Sequence, residues 1–242
     1  MRIVLSTAGG GYGLWVAEAL HKRGVPIHAV LVDVHLPRPG AALRRPRRIL
    51  GPLRRRLQAQ PIRRIAPLHT VGNINHQRAS MLLRRWQPDV LVLAGARIVS
   101  VDVLSIPRVG TYNAHPAHLP GFRGTGVVGW SILRGVPVTV TVHLVSPRLD
   151  AGDVVEQRLV PIEPEESLAE IEAHADQMCV DALTDVVARL YRGEEVPGTA
   201  QHGPSLLYSW LNATQRQEAM KLVAEGAAYR LYEKARAAEA PA

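Results

Sequence analysis

Three short runs of almost continuous apolar residues set the strongest limit on how this chain folds. They read Arg2-Ile-Val-Leu-Ser, Ile27-His-Ala-Val-Leu-Val-Asp-Val and Asp89-Val-Leu-Val-Leu-Ala-Gly. Runs of this kind are typical of strands that are buried on both faces of a sheet. Helical patterns over residues 14–22 and 75–86 separate them. This order predicts an α/β fold, with a Rossmann-like, mostly parallel sheet and helices on both of its faces.

The pattern changes after residue 109. A short strand there is followed by a loop rich in Pro and Gly at residues 115–126 and by a helix at about 127–134. The stretch Val138-Thr-Val-Thr-Val-His-Leu-Val then alternates valine with polar residues, which is typical of a half-buried strand. We expect this strand to belong to an antiparallel pair near the active site.

The last third of the sequence is expected to be helical. Ser167 and Glu170 form a capping box that opens a long helix. A polar linker at residues 193–204 follows, and Thr214 with Gln217 is a second possible capping box for a helix that ends near residue 238. We therefore predict a catalytic domain at residues 1–192 and a linker with a short helical C-terminal extension at residues 193–242.

Positive charge is concentrated in one segment. The net charge is +8, yet residues 38–64 contain ten arginines and no acidic residue, so the remaining chain carries a net charge of about −2. A uniformly basic nucleic-acid-binding face is therefore excluded. Within an insertion at residues 37–66, four apolar residues fall at helical spacing and predict a short basic amphipathic helix: Ile49, Leu50, Leu53 and Leu57. The segment is either a solvated flap or a binding site for a phosphorylated substrate, a membrane surface or RNA.

Cysteine content and hydropathy indicate in which cellular compartment the protein is expected. Cys179 is the only cysteine, which excludes an internal disulfide framework and favours a reducing environment. The first ten residues contain too few large apolar residues for a secretory signal, and no stretch approaches about 18 uninterrupted apolar residues. We expect a cytoplasmic protein with no transmembrane segment, and the sequence leaves its oligomeric state open.

A glycine-rich turn follows the first predicted strand. Its sequence, Gly9-Gly-Gly-Tyr-Gly-Leu, is similar to a dinucleotide fingerprint, and Asp33 ends the second strand as a ribose-binding acid would. The third glycine of that fingerprint is missing, so the signal for nicotinamide binding is weak. The turn either contacts a phosphate of the substrate through Gly11, Tyr12 and Gly13 or is a plain turn.

Residues 89–162 contain the groups that can perform chemistry. Asn113 and His115 lie two residues apart at a strand end, so their side chains project in the same direction. Asp150 follows the Val/Thr strand in a tight turn. An amide, an imidazole and a carboxylate that meet at strand ends make a general acid/base site with an oxyanion donor. The alternative is a zinc site formed by His115, His118 and His143, although these histidines lack a cysteine or a marked carboxylate partner.

The order and spacing of four motifs resemble the 10-formyltetrahydrofolate-dependent formyltransferase family. The motifs are Asn113-x-His-Pro-x-x-Leu-Pro, Arg123-Gly, Val142-His and Leu149-Asp-x-Gly-Asp. The resemblance covers residues 85–190 well and implies that Asn113, His115 and Asp150 are the catalytic trio. Family members usually have a glycine at the position of Thr139 and a leucine or similar residue at the position of His118.

The resemblance also implies the remaining site residues. It assigns binding of the formyl donor, 10-formyltetrahydrofolate, to two stretches: Arg97, Ile98 and Val99 in the first, and Val145, Leu149 and Asp150 in the second. It implies no metal in the reaction. Arg123 either meets an acceptor phosphate or is a surface arginine. The glycine turn lacks the Gly-Ser-Asn sequence that the family uses for phosphate.

The expected reaction is one-carbon transfer to a primary amine of a small, possibly phosphorylated or nucleotide-linked acceptor. About fifty residues follow Arg192, fewer than the C-terminal barrel of methionyl-tRNA formyltransferases, so no specific nucleic-acid partner is expected. Two alternatives stay open. One is hydrolysis of 10-formyltetrahydrofolate by the same trio, and the other is a catalytically idle, arginine-rich nucleic-acid-binding protein on the same fold.

Overall fold

The computed structural model describes residues 1–34 and 47–239. Its chain divides into two compact units. The first comprises Met1–Asn113, Val145–Pro147 and Thr184–Val196, and the second comprises Ala114–Leu144, Arg148–Leu183 and Pro197–Ala242. The domain boundary at residues 192 and 193 stays a prediction.

The first unit is built on five strands. They are β1 (Ile3–Thr7), β2 (Ile27–Asp33), β3 (Leu68–Val71), β4 (Val90–Ala94) and β5 (Gly110–His115), whose last two residues belong to the second unit. The central strand β1 pairs with β2 and β4, while β2 pairs with β3 and β4 with β5, and all four pairings are parallel. Every residue of β1 and β4 is buried, which is why their sequences are almost continuously apolar.

Helices connect these strands. They are α1 (Gly11–Lys22), α2 (Arg47–Gln58), α3 (Gln77–Trp86) and α4 (Val101–Leu104), and a short 3₁₀ helix, Gln60–Arg64, follows α2. The core of this unit includes Leu31 of β2, Leu91 of β4 and Leu83 of α3. Since parallel strands end at one edge of the sheet, the loops after β1, β2 and β4 lie at the same edge, where α/β proteins bind ligands.

The second unit contains β6 (Phe122–Gly124), α5 (Val127–Leu133), β7 (Thr139–Leu144), β8 (Val154–Leu159), most of α6 (Leu168–Tyr191) and β9 (Leu206–Tyr208). Strands β7 and β8 are antiparallel, with Thr141 opposite Gln157. Strands β6 and β9 form a separate two-stranded sheet. The seven other strands form one sheet in the order β3-β2-β1-β4-β5-β7-β8, and the α/β fold class with its antiparallel pair is therefore confirmed.

The C-terminal helices differ from the sequence-based expectation. Two helices, α7 (Ala213–Ala224) and α8 (Ala227–Glu239), replace the single expected one, because the chain turns at Gly226 with a φ of 74°. The capping box is formed by Asn212 and Gln215, so its assignment to Thr214 and Gln217 was wrong. Both pairs have the same spacing, and asparagine is the better N-cap.

The expected basic amphipathic helix is present as α2, although residues 35–46 of the insertion and the side chains of Ile49 and Leu50 lie outside the described residues. Its orientation is unusual. Arg55 donates to the Val34 carbonyl oxygen at 3.3 Å, whereas Leu53 and Leu57 are 53% and 60% exposed. Among the described side chains, Arg55 is thus directed toward its own unit, whereas Leu53 and Leu57 are directed toward solvent. No helix within residues 1–34 and 47–239 is long and apolar enough to cross a membrane.

Candidate active site

Two of the expected catalytic residues lie on β5. Asn113 is half-buried and His115 is buried, and their positions two residues apart place them on the same side of the strand. The His115 Nε2 atom lies 2.8 Å from the carbonyl oxygen of Phe122. Because a carbonyl oxygen only accepts hydrogen bonds, Nε2 must carry the proton, and the Nδ1 of the neutral ring is left as a proton acceptor.

Asp150 lies in the loop between β7 and β8, where the structure brings it close to His115. Its Oδ2 accepts the backbone N–H of Gly124 at 2.9 Å and lies 3.8 Å from the Nδ1 of His115. This distance is longer than a hydrogen bond. The carboxylate therefore faces the proton-accepting atom of His115 without being bonded to it, and it can stabilise a proton that arrives there.

A second imidazole faces the same carboxylate. His143 Nδ1 lies 2.8 Å from the Leu144 carbonyl oxygen and so carries the proton of that ring, while Nε2 lies 3.9 Å from the Oδ1 of Asp150. From the sequence, His143 was named only as part of a motif and as a possible zinc ligand, without a role in catalysis. The alternation along its strand could have shown that it projects from the same face as Thr141.

Burial controls the charge of both rings. It lowers the pKa of His115, against the opposing effects of the Asp150 charge and the bond to Phe122. Burial likewise lowers the pKa of His143, against the bond to Leu144 and the Asp150 charge. Both imidazoles are therefore neutral at pH 7, as a general base has to be.

These lowered pKa values predict a loss of stability in mild acid. An unfolded histidine binds a proton near pH 6.5. His69, His115, His118 and His143 all have lowered pKa values in the folded chain, with burial as the largest cause. The unfolded state then binds more protons, so stability is full above pH 6.5 and falls as the pH drops from there. Urea titrations at pH 7.5 and 5.5 check this, and equal midpoints would contradict it.

One further residue contacts the Asp150 turn, and sequence reasoning missed it. The Nε2 of Gln201 donates to the carbonyl oxygens of Asp150 at 3.0 Å and Gly152 at 2.7 Å. Its Oε1 accepts from the Nη2 of Arg123 at 2.7 Å. Gln201 lies in the stretch that we interpreted as a polar linker, and nothing in that composition distinguishes it. Arg123, which we expected to meet an acceptor phosphate or to lie free on the surface, binds this side chain.

The alternative zinc site is not supported by the geometry. Among the residues that the structure describes, no group of three or more His, Cys, Asp or Glu side chains is placed to hold a metal ion. His118 is largely exposed, and its Nδ1 lies 3.3 Å from the Nε2 of Gln157.

The first stretch expected to bind the formyl donor is held rigidly after β4. Arg97 pairs with the buried carboxylate of Asp33, with 2.6 Å between Nε and Oδ2. Asp33 also accepts the backbone N–H of Ile74 at 3.2 Å. Asp33 is thus occupied by internal partners, which argues against its use as a ribose-binding acid, and the guanidinium of Arg97 is engaged as well.

The other residues expected to bind the donor fall into two groups. Val99 is buried in the core of the first unit, and Val145 packs against the same cluster. Ile98 is 64% exposed in the first unit and Leu149 is 39% exposed in the second. Of these four apolar side chains, Ile98 and Leu149 are therefore the ones with surface available for a ligand.

The glycine turn serves packing at two of its positions. A Cβ on Gly13 would collide with the side chain of Thr7, and a Cβ on Gly9, whose φ is 82°, would lie 2.6 Å from the carbonyl oxygen of Arg55. Gly9 and Gly13 therefore allow α2 and β1 to approach the turn closely. Gly11 is exposed at the start of α1 and Tyr12 is half-buried, so contact of these two residues with a substrate stays a prediction.

A cavity of about 360 Å³ lies within the second unit beside Gly124. Its lining includes Pro116, Gly124, Glu172, Asp176, Trp210 and Arg216. Arg216 forms a two-bond pair with Glu172, both at 2.9 Å. Partial burial and the charge of Glu172 raise the pKa of Asp176. A larger cleft of about 750 Å³ in the first unit, near Arg2 and Arg108, contains none of the expected site residues.

Known proteins with similar sequences are formyltransferases. The model of the formyl transferase family matches residues 16–187. A methionyl-tRNA formyltransferase from Chlorobium chlorochromatii is 31% identical over 139 residues, which cover 55% of this chain and 44% of the relative. The chain thus spans less than half the length of that relative.

Solved structures share the fold. Phosphoribosylglycinamide formyltransferase from Streptococcus pneumoniae TIGR4 superposes with a TM-score of 0.58 at 23% identity, covering 78% of this chain and 98% of the other. The formyltransferase PseJ from Anoxybacillus kamchatkensis, solved with UDP-4,6-dideoxy-4-formamido-L-AltNAc and tetrahydrofolate, gives a TM-score of 0.58 at 16% identity and covers 96% and 97%. At these identities the likeness concerns the fold alone.

Proposed function

Because the chain belongs to the formyl transferase family, we propose that it transfers a formyl group from 10-formyltetrahydrofolate to a primary amine of a small acceptor. The observation that carries the proposal is the position of Asp150, which faces the proton-accepting atoms of His115 and His143 at 3.8 and 3.9 Å. Amine acylation needs such a group, because the attacking nitrogen must lose a proton after the bond to carbon has formed.

In the proposed reaction the neutral amine attacks the formyl carbon and the carbonyl oxygen becomes an oxyanion. We assign stabilisation of that oxygen to the side-chain amide of Asn113, since the Nε2–H of neutral His115 is bound to Phe122. The Nδ1 of His115 accepts the amine proton, and Asp150 stabilises the imidazolium that forms. The proton then passes to the leaving nitrogen, and the C–N bond to the donor breaks.

The residues present fit a reduced folate as formyl donor. A planar pterin needs an apolar side chain against its face, and in the first unit Ile98 has apolar surface available. The loop that carries Ile98 is braced, because Asn75 donates to the Ile98 carbonyl oxygen at 2.9 Å and accepts from the Ser100 N–H at 2.8 Å. A braced loop offers its ligand a preformed surface, which lowers the ordering cost of binding.

We expect Ile98→Asp to weaken binding of a non-reactive formylfolate analogue by about tenfold or more, the loss of roughly one buried aliphatic contact. Calorimetry measures this dissociation constant. Val101→Asp is the matched control, because Val101 is also an exposed apolar residue, at 59%, on the neighbouring helix α4. Equal affinities of the two variants would show that Ile98 does not contact the folate. Wild-type binding weaker than millimolar would contradict 10-formyltetrahydrofolate as the formyl donor.

The cavity of the second unit supports an amine as the acceptor. Glu172 and Asp176 both line it, while its arginine, Arg216, is already paired with Glu172. Asp176 is the acidic group left over, and it favours an amine over a phosphate at this point. The cavity adjoins Gly124, whose N–H holds the carboxylate of Asp150. The exposed ring of Trp210 offers a planar apolar part of the acceptor a surface on which to stack.

A formyl-transfer assay tests the proposal. The protein is incubated with 10-formyltetrahydrofolate and a panel of amines that includes glycinamide ribonucleotide, nucleotide-linked amino sugars and methionyl-tRNA, and a reaction without amine gives the rate with water. Formation of a formamide above that rate is the expected result. Release of tetrahydrofolate independent of any amine would favour hydrolysis of 10-formyltetrahydrofolate. Absence of folate binding would favour the catalytically idle, arginine-rich nucleic-acid-binding protein.

A further inference from the structure

We propose that Gln201 is a positioning residue that sets the place of the Asp150 carboxylate between His115 and His143. The predicted effect of Gln201 on the rate rests on the proposed function. Its effect on the position of the Asp150 carboxylate does not. Gln201 contacts neither imidazole and acts through the backbone of the Asp150 turn.

The side-chain amide of Gln201 bridges two sides of this turn. Its Nε2 donates to the carbonyl oxygens of Asp150 and Gly152, at 3.0 and 2.7 Å, so both of its amide hydrogens are used. Its Oε1 accepts from Arg123 at 2.7 Å. Arg123 belongs to β6, and the next residue, Gly124, donates its N–H to the carboxylate of Asp150. Strand β6 thus holds the carboxylate of Asp150 directly, and it holds the backbone of Asp150 through Gln201.

The turn needs this support because Asp150 has a φ of 47°. A residue with a side chain holds this left-handed conformation only where its surroundings impose it, at a cost of roughly 1–3 kcal/mol. Without the two bonds from Gln201, the backbone at Asp150 is free to relax toward negative φ. Such a change re-aims the carboxylate, and a misplacement of about 1 Å in a catalytic group costs around 10² in rate.

Gln201 is itself held from both sides. Two residues before it, Thr199 exchanges both backbone hydrogen bonds with Val154 of β8, at 2.8 and 2.7 Å. Five residues after it, β9 begins and pairs with β6. The segment from residue 199 to residue 208 is therefore anchored to the strand that follows the Asp150 turn and to the strand that carries Arg123.

Two substitutions separate the contributions of Gln201. Gln201→Met keeps a similar volume and removes all three hydrogen bonds. Gln201→Glu keeps an acceptor for Arg123 but removes both donors, and it places a carboxylate oxygen against two carbonyl oxygens. Gln177→Met is the matched control, since Gln177 is an exposed glutamine on α6 whose Nε2 donates to the carboxylate of Asp181 at 3.3 Å.

The first measurement is the rate of formyl transfer. We expect kcat to fall at least about tenfold in both variants of Gln201, because the hydrogen bonds of Gln201 hold the turn that carries Asp150. The KM for 10-formyltetrahydrofolate should change less than about twofold. Gln177→Met should match the wild type. Thermal unfolding of each variant shows whether it is folded at the assay temperature.

The second measurement is independent of activity. Histidine resonances are titrated by NMR in the wild type and in Gln201→Met. Asp150 is the charge that faces both rings, and His143 is also affected by Arg123 and by a protonated His115. The negative charge of Asp150 raises the pKa of both rings, so its displacement should lower both by a measurable amount.

The outcomes separate the two proposals. Lowered histidine pKa values in Gln201→Met support the positioning role even if the wild type transfers no formyl group, which would overturn only the proposed function. Unchanged histidine pKa values in a folded Gln201→Met protein overturn the positioning role, whatever the rate. If Gln201→Met does not fold, Gln201→Glu decides, and wild-type kcat in that variant overturns the proposal.

Discussion

We expect Asp150→Asn to lower kcat for formyl transfer by at least about a hundredfold and to leave the folded structure intact. The asparagine keeps the size of the side chain and an oxygen that can accept the Gly124 N–H, but it loses the charge that faces the Nδ1 of His115. Without that charge the imidazolium formed after attack is unsupported in a buried site, and general acid/base contributions are typically 10²–10⁴ in rate. Steady-state kinetics under saturating donor and acceptor measure the loss.

The neighbouring carboxylate provides the control for this prediction. Asp153 lies three residues further along the same loop and is exposed, so Asp153→Asn removes an equal charge without touching His115 or His143. We expect it to retain wild-type kcat within about twofold. His115→Asn should resemble Asp150→Asn, and the double variant should lose little more than either single one, since the two residues act as a unit. Full activity of Asp150→Asn would show that the trio is misassigned.

Much of the fold was predictable because its signals are local. The apolar runs of β1, β2 and β4 follow from burial on both faces of a parallel sheet, and the alternation of β7 follows from its antiparallel partner. The capping box at Ser167 is also local: Ser167 N donates to Glu170 at 2.8 Å, and the hydroxyl of Ser167 accepts the Glu170 N–H at 3.3 Å. Such patterns need only a few consecutive residues.

The short strands β6 and β9 were not predictable in this way. Each has three residues, and each is stabilised by the other across more than eighty residues of chain. Phe122 stacks on Tyr208 with ring centroids 5.2 Å apart, a contact that neither strand reveals alone. Propensity over three residues carries almost no information. Strand β6 therefore passed as part of the loop at residues 115–126, and β9, just after the polar linker, was not predicted.

The site shows the same division between local and distant signals. Asn113, His115 and Asp150 stand in motifs at strand ends, where the sequence pattern places functional groups. Gln201 and His143 lie 51 and 7 residues from Asp150 in the sequence. Only the folded chain shows that Gln201 contacts the backbone of Asp150 and that His143 faces its carboxylate. Asp33 shows the opposite: its position as the last residue of β2 suggests a ligand-binding acid, but the structure pairs its carboxylate with Arg97.

Gly124→Ala should lower the free energy of unfolding by about 2–5 kcal/mol, the sum of backbone strain and overpacking. Gly124 has a φ of 102°, which residues with a Cβ rarely adopt. A Cβ at this position would also collide with the carbonyl oxygen of Tyr208, which cannot retreat without breaking the pairing of β6 with β9. Urea denaturation at pH 7.5 measures the difference.

The control separates backbone strain from collision. Gly135 also has a positive φ, 66°, but a Cβ there would meet nothing within 4 Å. Gly135→Ala should therefore cost only the strain, about 1–2 kcal/mol. The activity of the folded fraction gives a second comparison, because the Gly124 N–H holds the carboxylate of Asp150 and Gly135 has no part in the site. Only Gly124→Ala should then lose kcat, and equal effects of the two substitutions on stability and rate would show that β6 does not couple the C-terminal segment to the Asp150 carboxylate.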